Sequence, residues 1–408
     1  MYDGHGLRAR QAERSGAIRS LDPPISKQRP RVTRSSPNDR VGRPPKSPSR
    51  QHTTIPFTLP ARPSVTRIRQ ADPRRLEAPA GKRTQPMRGF EDRFVDIVDY
   101  IVRITDEIWI DRGVGYIYET YDHSCTIYSC YGVVRSVEEV IAGTVQTLNA
   151  FPDGEIRHLS VAWAGDEREG FYTSHLGHSR STNVGRTGFG PATGRRVSVR
   201  FAADCVSRNN RIFTEWLVRD NGALVRQLGF DVHDVARRIA ATPTAETYVV
   251  SPEMRTEGQA PRTSLDRRAD TLDGWARHLF HELWNLRRFD RIGRWYADDV
   301  TVHAGGNRTA EGIRSLQSLI LHILAALPDG VLRVENVCHA EESDGVIVAV
   351  RWLLEGTTRA GGVLGECPEG RPVFMMGISH LRLGEEGRIV EEWMIFDEVG
   401  VLAQAYRN

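Results

Sequence analysis

No apolar stretch in the 408 residues approaches the length of a membrane-spanning helix, which needs roughly 20 consecutive apolar positions. The longest run, 318–327, is broken by His322. A secretory leader is lacking too. Charged residues and prolines stand where an apolar core of ~7–15 residues would be required. Cysteine is scarce. The five (Cys125, Cys130, Cys205, Cys338 and Cys367) include no C-x-x-C pair, so neither a disulfide framework nor a zinc site is expected, and the chain reads as a protein of a reducing cytoplasm. The glycine-rich run 185–194 has no Gly-Lys-Ser/Thr after it, which leaves a hairpin loop rather than a phosphate cradle. His278, His281 and Glu282 share a helical face, but their order matches neither zinc-protease helix, so no metal is expected.

Charge is unevenly spread. Residues 1–87 hold 19 Lys/Arg against 6 Asp/Glu and 13 of the 21 prolines. The remainder holds 36 basic against 46 acidic residues. Phosphate binding needs a basic face, so the acidic remainder argues against a nucleic-acid partner. The basic stretch has almost no periodic apolar pattern. It cannot bury enough surface to offset ordering entropy, which predicts a disordered tail over 1–87. Contact with nucleic acid or anionic lipid and a targeting role are alternatives for it. A further expectation is that Met87 is the natural start.

One ten-residue pattern organises the rest. Arg-Ile-x-x-Glu-Trp-x-x-x-Asp spans 211–220 and again 388–397. Other matches recur at nearly the same offset: Trp109 with Trp284, Tyr121 with Tyr296, and the Pro-Asp-Gly turns at 152–154 and 328–330. Repeats of this kind predict two copies of one domain, at 88–240 and 271–408, joined by a linker over 241–270. Each copy reads in one order. An amphipathic helix comes first (Phe94, Ile97, Val98, Ile101, Ile104; Leu279, Leu283, Leu286), then a short helix and a short strand. A third helix (136–150; 309–327) stops at the Pro-Asp-Gly turn, and four long strands follow. The fold class is α+β, with two tandem cone-shaped domains, each a curved antiparallel or mixed sheet covered by about three helices. In the repeated pattern, strand alternation puts Trp216 and Asp220, or Trp393 and Asp397, on one face and Glu215 or Glu392 on the other. The tryptophan face is expected to line a ligand hollow, and the glutamates to be solvated or paired with strand arginines. A carboxylate among apolar groups needs a partner or a purpose; an aspartate that has already reached water at the strand end is the plainer alternative.

The order helix, helix, strand, helix, strands, ending in Gly-Arg-Ile-Val-Glu-Glu-Trp-x-x-x-Asp, resembles the nuclear transport factor 2-like superfamily, and within it the SnoaL-like polyketide cyclases. The stretches Trp295-Tyr296-Ala297-Asp298-Asp299-Val300-Thr301-Val302-His303 and Leu176-Gly177-His178 carry the resemblance, with the loop 188–197 and its counterpart 362–373. The resemblance implies ring closure by intramolecular aldol condensation without metal or cofactor. It also implies Asp220 and Asp397 as general acid/base groups, helped by His178 and His303. His178 is aligned with Thr357, and His303 with Tyr128. Tyr128, Thr357, Trp216 and Trp393 are the expected substrate-binding residues. Three readings stay open: a cyclase or isomerase acting on a small apolar or carbonyl-containing ligand, a ligand-binding accessory module, and a tandem unit whose sheet faces pack as an internal pseudo-dimer.

Overall fold

The computed structural model describes residues 55–68, 76–77, 82–242 and 268–407. Most of the basic stretch and of the expected linker lie outside them. Two short strands, β1 (Arg67–Ile68) and β2 (Leu76–Glu77), pair with each other ahead of the main fold. The first half, 88–240, then runs α1 (Ile97–Trp109), α2 (Ile117–Thr120), β3 (Tyr121–Ser129), β4 (Gly132–Val134), α3 (Val137–Ala150), β5 (Glu155–Asp166), β6 (Gly170–Thr182), β7 (Arg196–Arg208), β8 (Arg211–Arg219), α4 (Asn221–Leu228) and α5 (Val232–Ala240). The second half runs α6 (Leu272–Phe280), β9 (Tyr296–Ala304), β10 (Arg308–Glu311), α7 (Gly312–Ala326), β11 (Val331–Glu342), β12 (Gly345–Thr357), β13 (Pro372–Leu383), β14 (Ile389–Phe396) and α8 (Glu398–Arg407). The result is a mixed α+β fold around a large curved sheet.

Local chemistry explains the helix boundaries. Asp96 accepts from the backbone N–H of Val98 and Asp99 and starts α1, satisfying donors that a helix N-terminus leaves free. Ser136 does the same for α3. The apolar spacing Ile97, Ile101, Ile104, Ile108 puts one buried stripe on α1, each side chain contributing about 1.5–3 kcal/mol by burial. Several short strands were not expected from the sequence, β1, β2 and β4 among them. Arg308–Glu311, of which 309–311 read in the sequence as the start of the third helix, is a strand paired with β9. The turn Gly306-Asn307 has positive φ at both residues and reverses the chain there.

Strands β3 to β14 form one twelve-stranded sheet in the order β10-β9-β14-β13-β12-β11-β5-β6-β7-β8-β3-β4. Read outward from its centre, the order of the two sides is the same. β3 runs parallel to β8 and β9 parallel to β14, while the other ladders are antiparallel. At the centre β11 meets β5 through a single registered pair, His339 with Trp163. The sheet also folds back on itself. Leu159, Leu176, Ala202 and Val218 of the first half share one buried cluster with Leu353, Met376, Ile378, Trp393 and Ile395 of the second. The helices cover the opposite faces: α1 packs on the first half's sheet through Ile97, Val98 and Ile101, and α6 and α7 pack on the second's.

The structure corrects the expected tail. Residues 55–68 are built into the fold. Phe57 packs on Trp275 with ring centroids 5.1 Å apart. Arg62 donates to the carbonyls of Trp163 (2.9 Å) and His339 (2.8 Å), the two residues of the central pair. Its guanidinium lies 4.5 Å from the Trp163 ring centroid. Thr66 donates to Asp96, and Met87 is buried beside Phe90 and Phe94. Ordered structure therefore begins well before Met87. The composition of this segment hid it, because its anchors are single residues spaced along a polar, proline-rich strand path.

Candidate functional site

The two aspartates of the repeated pattern are helix caps. Asp220 accepts from the backbone N–H of Ala223 (3.0 Å) in α4 and from those of Gly306 (2.7 Å) and Asn307 (3.1 Å) in the β9–β10 turn. Asp397 accepts from Val399 (3.0 Å) and Gly400 (3.2 Å) in α8, from the Asn221 amide (2.6 Å) and from the Tyr131 hydroxyl. Each therefore closes a helix of its own half and grips the other half. Burial raises both carboxyls, Asp397 to about 7, against the lowering effect of these donors.

The tryptophans face the junction between the halves. Trp393 lies in the shared cluster and Trp216 packs against it. Tyr128 stacks on Trp216 at 5.6 Å and His303 on Trp393 at 5.8 Å, at equal places in the two parallel ladders. The alignment of His303 with Tyr128 therefore matches the register. His303 Nε2 also meets Glu391 at 3.2 Å. The alignment of His178 with Thr357 does not match. Thr357 corresponds to Thr182, since each gives its backbone N–H to the aspartate of the Pro-Asp-Gly turn, Asp329 and Asp153 respectively. His178 pairs with Arg200 across β6–β7, as Leu353 pairs with Met376 across β12–β13. His178 shares a pocket of about 240 Å³ with Asp220, Ser198, Arg200, Ala223, Gln227 and Asn307.

The glutamates take the face that the tryptophans were expected to have. Neither is solvated. Glu392 is fully buried and accepts from the Tyr296 hydroxyl at 2.8 Å. Glu215 is buried and accepts from Tyr121 at 2.9 Å. Burial raises both carboxyls, Glu392 to about 7. Alternation separates the two faces of a strand but does not say which one the helices cover. Here the helices cover the glutamate face.

On that concave side the first half gathers ionisable groups that motif reading passed over. His158 Nε2 meets Asp106 Oδ1 at 2.9 Å, and His158 Nδ1 meets His175 Nε2 at 2.9 Å. A carboxylate at Asp106 can only accept, so His158 Nε2 carries a proton, and in the neutral form of His158 the Nδ1 lone pair accepts one from His175. The lone pair of His175 is then on Nδ1. Burial, followed by the neighbouring His158 and His380, holds His175 well below the usual imidazole range. Register places His158, Gly177, Phe201 and Arg219 in one row across β5–β8. The Arg219 guanidinium lies 5.6 Å from the Trp109 ring centroid. Asp106, Trp109, Phe201, Leu217 and Arg219 are partly exposed, while His158 and His175 are buried and burial lowers the Arg219 pKa.

At the matching positions the second half is apolar and closed. Val334 stands for His158, Val350 for His175, and Phe396 for Arg219. Trp284 stacks on Trp352 at 6.2 Å. A Cβ on Gly377 would collide with the Trp352 ring, as one on Gly177 would with Phe201, so the bulky partner sits on the opposite strand in each half. Setting the two repeats side by side, histidine against valine, is the signal in the sequence that could have found this cluster. Among the described residues no group of three or more His, Cys, Asp and Glu is placed to hold a metal ion, and no helix is long and apolar enough to cross a membrane.

Residues 275–405 match the model of the SnoaL-like polyketide cyclase family. Solved structures resemble about a third of the chain. IdmH from Streptomyces antibioticus, a proposed polyketide cyclase, is 26% identical and covers 32% of this chain and 95% of its own, with a TM-score of 0.27. A SnoaL-like polyketide cyclase from Agrobacterium tumefaciens is 18% identical over 32% of this chain and 94% of its own, at 0.25. TsrD from Streptomyces laurentii is 17% identical over 33% and 97%, at 0.29. No curated protein matches the chain.

Proposed function

We propose that the chain is a tandem pair of SnoaL-like domains packed as an internal pseudo-dimer, and that the first half is a cofactor-free cyclase or isomerase acting beside a carbonyl group. The observation that carries this reading is the Asp106–His158–His175 hydrogen-bond chain, in which two buried histidines lead to a partly exposed carboxylate. The family matched at 275–405 suggests a polyketide-like substrate with adjacent carbonyls.

In this mechanism His175 Nδ1 takes the proton from the carbon beside the carbonyl. Its Nε2 proton passes to His158 Nδ1, and the Nε2 proton of His158 passes to Asp106. No buried imidazolium has to persist, which a site that depresses the His175 pKa requires. The proton ends on Asp106, whose side chain is 45% exposed and can exchange it with water. Arg219, two strands away and so roughly 10 Å across the sheet, supports the enolate oxygen. The filled interior of the second half favours a supporting role for that domain. Asp220 and Asp397 then serve as the ties between the domains, and Tyr128, Trp216, His303 and Trp393 as their packing.

The test is deuterium exchange at the acidic carbon of a panel of β-diketones in D₂O, followed by NMR with the full chain. Acceleration that falls about 100-fold in both His175→Ala and Asp106→Asn supports the reading. Equal acceleration in wild type and His175→Ala, or none in wild type, overturns it.

A further inference from the structure

The pocket around His178 lies on the other side of β6 and β7 from His175 and Phe201, and the same two strands supply both. His178 and Arg200 are directly opposed across β6–β7, and Ser198 stands two residues before Arg200 on the same face. Gln227 fixes Ser198 by bonding both its backbone N–H (2.8 Å) and its carbonyl (3.0 Å). The Ser198 hydroxyl meets His178 Nε2 at 2.8 Å. From the second half, the β9–β10 turn brings Asn307, whose backbone N–H is held by Asp220.

The second half contains the same scaffold with different contents. Gln404 bonds the backbone N–H and carbonyl of Phe374, each at 3.0 Å, as Gln227 does for Ser198. The places of His178, Arg200 and Ser198 are taken by Leu353, Met376 and Phe374, which pack in or against the shared apolar cluster. This scaffold therefore closes with apolar side chains. The first half instead places a guanidinium, an imidazole and a hydroxyl there and leaves a volume of about 240 Å³, room for about eight waters at ~30 Å³ each. The Arg200 guanidinium makes no hydrogen bond or ion pair within 4.0 Å among the described residues, and the nearest charges acting on it are Asp220 and Glu391. A half-buried guanidinium without a hydrogen-bond partner is costly unless something completes it. The one carboxylate in the lining, Asp220, has its oxygens occupied by three backbone N–H groups. The electrostatics agree. Burial, then Arg200, Arg180 and Arg157, push His178 down to about 4, so His178 adds no positive charge at neutral pH and Arg200 is the cation of the lining, opposed by Asp220 and Glu391.

We infer that the pocket between β6, β7, α4 and the β9–β10 turn binds a small oxyanion, a carboxylate or phosphate group, on Arg200, with Ser198 and Asn307 as further donors. Planar carboxylates and phosphate oxygens suit the forked donors of arginine. Because Asn307 comes from the second half, the bound anion bridges the two halves. This site does not depend on the chemistry proposed for the Asp106–His158–His175 chain.

The probes are sodium acetate and inorganic phosphate, titrated calorimetrically into the full chain in buffer free of other small oxyanions, up to about 20 mM, a range that detects millimolar binding. Saturable binding of either one, weakened at least about tenfold in Arg200→Gln and unchanged in the exposed-site control Arg186→Gln, is the expected result; which probe saturates identifies the head group. Asn307→Gly tolerates the positive φ at that position and removes only the side-chain donor. It is expected to weaken binding severalfold, and it decides the matter if Arg200→Gln does not fold. No saturable heat with either anion overturns the proposal, as does wild-type affinity in the variant that decides.

Discussion

Glu392 shows how a single buried side chain sets pH behaviour. Burial raises its carboxyl to about 7, above its ordinary range near 4.3. Folding therefore favours the protonated form. The associated stability is fully present below about pH 4 and is lost as pH rises through 7. A shift of this size corresponds to about 4 kcal/mol. The melting temperature of Glu392→Gln relative to wild type is expected to rise between pH 5 and pH 8, measured by calorimetry. A difference that stays flat across that range would falsify the assignment. The Asp220 carboxyl is raised by burial too, but three backbone donors act against that shift. Asp220→Asn keeps at most part of that set and is expected to cost about 1–2 kcal/mol of stability, read from urea denaturation. The cost should appear without any change in the deuterium-exchange rate per folded molecule.

The segment 55–68 is the element whose contribution is most out of proportion to its composition. Its Arg62 bonds both carbonyls of the only registered pair between β11 and β5. A guanidinium with 10% of its side chain exposed, two charge-assisted hydrogen bonds and an indole face contributes about 2–4 kcal/mol. Arg62→Ala is accordingly expected to lower the denaturation midpoint, and hydrogen exchange should quicken first at the backbone of β5 and β11. Uniform exchange across the sheet would mean that the segment decorates the junction rather than holding it. Burial drives its Arg62 pKa down to about 10, still above physiological pH, so the clamp stays charged.

For the whole molecule, the face shared by the halves matters most. Leu353, Met376, Ile378, Trp393 and Ile395 of the second half meet Leu159, Leu176, Ala202 and Val218 of the first. Hydrogen bonds cross beside them: His380 meets Ser160 (2.6 Å) and Ser174 (3.0 Å), and Arg351 reaches Tyr172 at 3.1 Å. Residues 271–408 expressed alone would expose that apolar face and are expected to self-associate, seen as a dimer or larger species in size-exclusion chromatography with light scattering. A monodisperse monomer would show that the face is not held together by apolar burial.

Much of the fold was readable before any coordinates. Periodicity and the Pro-Asp-Gly stops located α1, α3 and the long strands, because caps, turns and amphipathic spacing are local properties. Tyr128 and His303, aligned with each other in the sequence, register directly with Trp216 and Trp393 in the two parallel ladders. Three things depended on tertiary structure. A strand has two faces, and only packing decided that helices cover Glu215 and Glu392 while Trp216 and Trp393 meet the other half. Beside their local caps, Asp220 and Asp397 bond across the junction to Gly306, Asn307 and Asn221, 86 to 176 residues away, which no local pattern encodes. Asp106, His158 and His175 lie on three separate elements of an otherwise ordinary sequence, and the chain that joins them exists only because sheet register and helix docking bring those side chains to one place.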